Sequence, residues 1–467
     1  MEKIKIKEYF DSIAENRDKW KNKGKYYHKD IEKLAKFLIP ENASVLEIGC
    51  ATGDILAYLN PKNNLGIDLS EKMVNVAKRK YPHLNFEVMD TENLSLNGKY
   101  DYIIMSDVVG FLEDIQKSFL NVKKISHNES RFLITYYNYL WEPVVRFAEF
   151  FGFKMKAPIH NWLSDNDVEN LLYLSGFEIV KRGERLLFPK YIPLFSAFCN
   201  KYLAKMPFVR KLCLVKYVVA RVVPDRSPEC GVTVLIPARN EKGNIEDAVR
   251  RVPQLGTHTE IMFVEGNSTD DTLEEIKRIK EKYPEKDIKI LVQDGKGKGD
   301  AVRKGFDAAT GDILMILDAD LTVRPEELPK FYEAIVNGKA DFVNGSRLVY
   351  QLENQSMRLL NIFGNKFFSL MFSWLLDQRL KDTLCGTKVL RKHNYQRIKE
   401  GRKFFGDFDP FGDFDLLFGA AKLNLKIVDL PIRYQARTYG TTNISRFKHG
   451  WLLLKMCVFA MKKIKFI

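Results

Sequence analysis

The sequence predicts an α/β protein built from two doubly wound domains, and three observations carry that prediction. The chain has 467 residues, more than one hydrophobic core usually serves. Two separate series of short apolar strands alternate with charged helices, the rhythm of parallel sheets whose two faces must both be covered. An unlike stretch, basic and apolar, separates them. In order, the first series reads as strand VLEIG, helix GDILAYLN, strand NLGIDL, helix EKMVNVAKRK, strand NFEVMD and strand YDYIIMS. The second begins near Val232 with strand VTVLI, helix EDAVRRV, strand EIMFV, helix DTLEEIKRIKEKY, strand IKILV, helix GDAVRKGFDAA and strand DILMIL. Each series starts its own sheet, so the expected boundaries are a domain at 1–184, a linker at 185–228 and a domain at 229–467.

Composition narrows the partners. Apolar and charged fractions, 45% and 29%, are those of a soluble globular protein. A net charge of +14 implies an anionic partner such as a membrane surface, a nucleic acid or a phosphorylated substrate. The six cysteines are scattered without a C-x-x-C pair, which argues against a disulfide framework or zinc knuckle. The start M-E-K-I-K-I-K-E-Y-F has no apolar core of a secretory signal.

The charge is concentrated in two stretches. Residues 185–225 carry Arg185, Lys190, Lys201, Lys205, Arg210, Lys211, Lys216 and Arg221 with no acid before Asp225, and the stretch from Pro431 onward is likewise basic, with W-L-L-L and M-C-V-F-A-M interleaved. Neither holds an uncharged run long enough to span, and a Lys or Arg at the bilayer centre costs about 2.5–3.5 kcal/mol. Basic residues with an apolar wedge suffice for reversible surface binding. The expectation is therefore a cytoplasmic protein, peripheral on the cytoplasmic face of the membrane, with helices that pack the domains together as the alternative. Nucleic acid is not expected, because the basic runs are interleaved with Leu, Ile and Val more than with stacking aromatics.

V-L-E-I-G-C-A-T-G-D, residues 45–54, is a strand running into a glycine turn and a helix. Gly49 and Gly53 let backbone approach a ligand. Asp68 ends the next strand, where a carboxylate can accept both hydroxyls of a ribose, and Asp90 follows the third. Open α/β sheets bind ligands at such strand ends. The turn lacks the G-x-G-x-x-G spacing of dinucleotide sites. These residues resemble a class I methyltransferase with a Rossmann-like fold, over about residues 25–180. The resemblance implies S-adenosyl-L-methionine as cofactor, held by Glu47, Gly49 and Gly53 of the first motif, by Asp68 as ribose acid and by Asp90 at the adenine edge. Ala51 stands where that family usually has a central glycine. Tyr26, Tyr27, His28, Tyr136, Tyr137 and Asn138 are candidate lining residues.

In the second series, L-I-P-A-R-N-E (235–241) ends a strand with amide and carboxylate edges suited to a nucleobase or ribose. Glu265 ends the next strand, and D-G-K-G-K-G-D-A brings Lys296 and Lys298 toward phosphate. Asp318 and Asp320 follow the run Ile313–Ile316. In an extended segment side chains two apart point the same way, and Mg²⁺ or Mn²⁺ prefers one or two carboxylates with phosphate oxygens. Together these residues resemble glycosyltransferase family 2 with the GT-A fold, in particular polyprenol-phosphate sugar synthases related to dolichol-phosphate mannose synthase, over about residues 230–450. That resemblance implies that Pro237, Ala238, Asn240, Glu241 and Glu265 hold the nucleotide-sugar, with Lys298, Asp318, Ala319 and Asp320. Asp318 and Asp320 are implied to bind the metal. G-S-R (345–347), Arg358, D-T-L-C-G-T-K (382–388) and R-T-Y-G-T-T-N-I-S (437–445) match acceptor-side segments, so Arg347, Arg358, Lys388 and Arg437 are expected to bind acceptor phosphate. Two departures stand out: Glu265-Gly266 replaces a usual pair of aspartates, and Thr322 replaces a third metal-site glutamine. D-P-F-G-D-F-D-L-L (409–417) resembles the segment that supplies a carboxylate near the acceptor, which points to Asp415 or Asp413 as base or orienting group.

The expected function is bifunctional: inverting, metal-assisted transfer of a sugar to polyprenyl phosphate, joined to methylation of a related glycan or lipid intermediate. The alternative is transfer to a saccharide hydroxyl in surface polysaccharide synthesis, with the N-terminal domain a cofactor-binding or docking module.

Overall fold

The structure, a computed structural model, describes residues 2–156, 161–347, 359–404, 413–435, 437, 439 and 446–466. It divides into two compact units, Met1–Val223 with Phe466 and Pro224–Lys465 with Ile467. Both are α/β with a Rossmann-like sheet.

The strands of the first unit are β1 (Val45–Ile48), β2 (Asn64–Asp68), β3 (Phe86–Val88), β4 (Tyr100–Ser106), β5 (Ser126–Tyr137), β6 (Phe177–Arg185) and β7 (Val215–Val222). They form one seven-stranded sheet in the order β3-β2-β1-β4-β5-β7-β6. The pairs from β3 through β5 are parallel, while β7 runs antiparallel to both β5 and β6. Alternation along the strands builds two core layers. Leu46, Ile48, Ile103, Met105, Phe132 and Ile134 pack on one face, and Val45, Tyr102, Ile104 and Leu133 on the other with Leu34 and Leu38 of the helix Lys25–Leu38.

Of the stretch expected to be a linker at 185–228, residues 185–223 are part of this unit and 224–228 belong to the second. The C-terminal portion of the former is β7, buried at every residue and inserted between β5 and β6. Arg221 on that strand is fully buried and pairs with Glu178 at 2.6 Å. A run of basic and apolar residues is what a central strand with one buried ion pair looks like in composition, which is why charge alone misplaced it.

In the second unit the strands are β8 (Val232–Ala238), β9 (Thr259–Glu265), β10 (Asp287–Val292), β11 (Ile313–Ile316), β12 (Phe342–Ser346), β13 (Lys388–Arg391) and β14 (Ile427–Pro431). Their order is β10-β9-β8-β11-β13-β12-β14. β8 to β11 are mutually parallel, and β13 is antiparallel to its neighbours β11 and β12. Val232, Val234 and Ile236 enter one core layer, and Leu235, Leu314 and Ile316 the other. The basic C-terminal stretch folds into the helix Arg446–Ala460, whose Leu453, Met456, Cys457 and Ala460 pack in that second layer beside Phe372 and Leu376 of the helix Leu359–Leu376. Among the described residues no helix is long and apolar enough to cross a membrane.

Phe132 of β5 is buried and meets Phe119 and Phe177 with ring centroids 5.3 and 5.5 Å apart. Phe132→Ala is expected to lower stability by about 3–5 kcal/mol, read as an earlier urea midpoint in tryptophan fluorescence and circular dichroism.

Candidate functional sites

At the end of β1 the turn Ile48–Asp54 is held by left-handed backbone. Gly49 has φ 70° and Gly53 φ 80°, and a Cβ on Gly49 would lie 2.2 Å from Val108 Cγ2. Ala51 is also left-handed, at φ 47°. An alanine tolerates that conformation poorly. Its N–H donates to Asp68 Oδ2 at 2.8 Å, which helps hold the alanine where a glycine would need no help. The other oxygen of Asp68 accepts the N–H of Ser70 at 2.9 Å. Burial pushes the Asp68 carboxyl up against the stabilisation given by these two N–H groups.

Glu47 accepts the N–H of Leu56 at 3.1 Å, and burial raises its carboxyl to about 8. Asp90 is reached from the N-terminal helix Glu2–Ile13: Lys3 donates to it at 2.8 Å and to Glu92 at 2.7 Å. Burial opposes ionisation of Asp90, yet the hydrogen bonds from Lys3, Glu92 N–H and Asn93 hold its carboxyl below the ordinary range. These groups line a cavity of about 1490 Å³, beyond the ~300–1,000 Å³ usual for a ligand pocket. Tyr26, Tyr27, His28 and Tyr137 line it as expected. Tyr136 does not; its hydroxyl bonds Asp165 at 2.9 Å, the period-two consequence of lying next to Tyr137 on β5. Asn138 is a buried peg that donates to the carbonyls of Lys211 and Cys213.

Among the lining residues that escape sequence reasoning are Lys3, Arg17 and Asp107. Asp107 follows β4 with φ 58° and accepts from the hydroxyls of Tyr27 and Thr135. Burial raises its carboxyl and the phenolic hydroxyl of Tyr27, and burial with the nearby Arg17 and Lys21 lowers His28 to about 4, so its imidazole is neutral at pH 7. The signal for Asp107 in the sequence is its place in S-D-V-V, residues 106–109, directly after a strand.

In the second unit the reading of D-A-D as an extended strand end is corrected. β11 stops at Ile316, and Asp318–Leu321 is a turn closed by Leu321 N–H to Asp318 O at 3.1 Å, with Leu321 at φ 51°. The two carboxylates therefore do not share a strand face. Asp318 pairs with Lys298 at 2.6 Å. Asp320 accepts from Thr322 Oγ1 at 2.8 Å and from Arg437 Nη2 at 2.7 Å. The same guanidinium reaches Glu241 at 2.9 Å, so Arg437, expected at the acceptor, is bonded to the donor-side acids. Burial works against ionised Asp318, but Lys298, Lys388 and Arg347 outweigh it and hold the carboxyl below its usual range.

The donor-side residues gather at the ends of β8 and β9. Pro237 and Ala238 close β8. Asn240, left-handed at φ 57°, accepts from Thr269 N–H at 2.8 Å. Glu265 is folded back on its own loop, accepting from Ser268 N–H at 2.6 Å and Asn267 N–H at 3.1 Å. Ala319 is buried.

The acceptor-side expectations fare differently. Arg347 forms a bidentate pair with the buried Asp382, 2.7 and 2.9 Å, and Lys388 is wholly buried with its ammonium donating to the Cys385 carbonyl. Both are tied to protein groups. Asp415 pairs with Arg402 at 2.9 Å and lies 3.8 Å from Arg303. Arg358 and the side chain of Asp413 lie outside the described residues.

The donor set suits a divalent ion of the magnesium type, which takes hard oxygens and needs few carboxylates when phosphate supplies the rest. Space is provided by Gly386, where a Cβ would fall 2.0 Å from Asp318 Oδ2 and 2.4 Å from Lys298 Nζ. Any side chain there would occupy the approach to both groups.

Two family models match the chain: "Glycosyl transferase family 2" over residues 233–398 and "Methyltransferase domain" over 19–182. The chain thus joins a stretch similar to methyltransferase domains to one similar to family 2 glycosyltransferases. It is 41% identical over 218 residues to a dolichol-phosphate mannosyltransferase of Pyrococcus furiosus, covering 46% of this chain and 59% of that one. It is 27% identical over 227 residues to a low-salt glycan biosynthesis hexosyltransferase of Haloferax volcanii, covering 47% of this chain and 51% of the relative. The chain spans between half and three-fifths of the length of these curated relatives. A solved S-adenosylmethionine-dependent methyltransferase of Thermotoga maritima aligns with TM-score 0.38 and 16% identity over 46% of this chain and 99% of that one.

The raised Glu47 carboxyl has a pH consequence. From 4.5 to about 8 the folded protein keeps a proton that the unfolded chain has lost, so stability falls as pH rises through that window. Glu47→Gln removes this contribution, and the difference between wild-type and variant melting temperatures is expected to grow in the variant's favour from pH 5 to pH 8 and then level.

Proposed function

We propose that the second unit transfers a sugar from a nucleotide-sugar to a polyprenyl phosphate, and that the first binds S-adenosylmethionine and methylates a related glycan or lipid intermediate. The observation that carries the reading is the joining of Glu241, Asp320 and Arg437 into one cluster beside the Asp318–Lys298 pair. It joins two residues that the family resemblance assigns to the donor, Glu241 and Asp320, through one that it assigns to the acceptor, Arg437. The likeness to a dolichol-phosphate mannosyltransferase supports the lipid phosphate as acceptor, and an acceptor of that kind would be met at a membrane surface.

The reaction needs little covalent chemistry from the protein. An oxygen of the acceptor phosphate attacks the anomeric carbon from the face opposite the leaving group, the bond from that carbon to the diphosphate oxygen breaks, and nucleoside diphosphate departs. A phosphate monoester is largely ionised near neutrality, its second pKa being about 6, so no side chain is required to take its proton. Asp318 and Asp320 would hold Mg²⁺ or Mn²⁺, which when bound neutralises charge on the departing diphosphate. Lys298 stands beside Asp318 as a second cation for phosphate, and Asn240 with Glu241 presents polar edges toward nucleobase or ribose.

The test is nucleoside diphosphate release with a panel of nucleotide-sugars, combined with mass spectrometry of lipid-linked sugars in the presence of labelled S-adenosylmethionine. Asp318→Ala with Asp320→Ala is expected to lower metal-dependent release at least ~100-fold, in line with lost electrostatic stabilisation. Retained release would remove these residues from the site. Gly386→Ala should do nearly as much while leaving the melting temperature close to wild type, because its methyl meets Asp318 and Lys298.

A further inference from the structure

We propose that the first unit docks on an anionic lipid bilayer through residues 142–153 and 190–212, with the mouth of its cavity turned toward the membrane. The proposal deepens the reading of the chain as acting on lipid-borne acceptors, and rests on it for the choice of a bilayer over another apolar partner.

The first observation is exposed apolar surface of a kind folded proteins normally hide. Leu194, Phe208 and Phe150 are 88%, 87% and 84% exposed. Phe147, Phe153, Phe195 and Phe198 accompany them, all more than half exposed. Contiguous exposure of large side chains marks an interaction surface. Leu194 is also held at φ 62°, ψ −47°, a conformation costly for a branched side chain and commonest where function requires it.

The second observation is that the two segments are one surface. Trp141 Nε1 donates to the Leu212 carbonyl at 2.7 Å, and Asn138 donates to the carbonyls of Lys211 and Cys213, each at 2.9 Å. Both segments reach the cavity: Val144 and Phe153 line it from one side, Lys190 and Tyr191 from the other.

Charge selects the occupant. Lys190, Lys201 and Lys211 are exposed between the apolar residues, and no Asp or Glu occurs from 186 to 224. The acids of the other segment are neutralised locally, Glu142 by Arg146 at 2.5 Å and Glu149 by Lys154 at 2.9 Å. Aromatic and aliphatic wedges interleaved with exposed lysines match the headgroup boundary of an anionic leaflet, where apolar burial and charge attraction add. A protein partner of similar apolarity would more often be met by charges of both signs at its rim.

Flotation of the full chain with vesicles of phosphatidylcholine alone, or of phosphatidylcholine with phosphatidylglycerol, tests this. Binding is expected only with the anionic lipid and should weaken with salt. Phe150→Ser with Leu194→Ser and Phe208→Ser should cut it at least ~10-fold, and Lys201→Glu with Lys211→Glu should do the same by charge. Circular dichroism and nucleoside diphosphate release should stay at wild-type levels in both variants. The proposal is overturned if wild type fails to float, if it binds neutral vesicles equally, or if both variants float as wild type does. It is also overturned if the variants instead convert a dimer to a monomer in light scattering while keeping vesicle binding. Vesicle binding with no sugar or methyl transfer would discard the catalytic reading and leave the surface standing.

Discussion

Carboxylates at the ends of parallel strands must be paired or protonated, because an ionised group stripped of water and left alone costs several kcal/mol. Much of the second site follows from that constraint. Asp318 takes Lys298, and Asp320 and Glu241 share Arg437. The cations come from elsewhere in the chain, so each pair fixes a segment as well as a charge. Arg437 draws the stretch after β14 onto the ends of β8 and β11, and Lys298 aligns the start of the helix Lys298–Ala308 with the turn after β11.

The first site answers the same constraint in the other way. Glu47 is buried and Asp68 and Asp107 are half-buried at the strand ends, and each accepts from neutral donors: the N–H of Leu56, the N–H groups of Ala51 and Ser70, the hydroxyls of Tyr27 and Thr135. Burial raises their carboxyls, and these donors offset it only in part.

Much of the fold was legible because its signals are local. Apolar runs of four to seven residues bounded by glycine turns marked β1, β2, β4, β8, β9 and β11, and the motifs at their ends located both sites. What was missed depends on tertiary partners. Lys3 and Arg17 belong to helices whose only claim on the cavity is that they fold over it. Glu265 has the right place in sequence, yet satisfies its own loop first. Asp318 and Asp320 were assigned a shared face from strand periodicity, and the strand ends two residues too early for that rule to apply. Arg347 and Lys388 look like free cations in one dimension, but Asp382 and the Cys385 carbonyl claim them in three.

Residues 185–223 show the limit most clearly. Composition alone could not distinguish a linker, a membrane element and a sheet strand, because all three accept basic residues mixed with valine and leucine. The structure resolves the question by dividing the stretch. β7 uses its valines for the sheet interior and neutralises Arg221 against Glu178, while 190–212 leaves its aromatics outside. The two roles are coupled. β6 and β7 fix both ends of the excursion in a hydrogen-bonded ladder, and Asn138 and Trp141 fix its C-terminal end again from β5 and the turn that follows. Such anchoring is what allows Leu194 to stay in a left-handed conformation with its side chain in solvent. A free linker would relax it and bury the leucine, so the exposure of this surface is a property the sheet imposes.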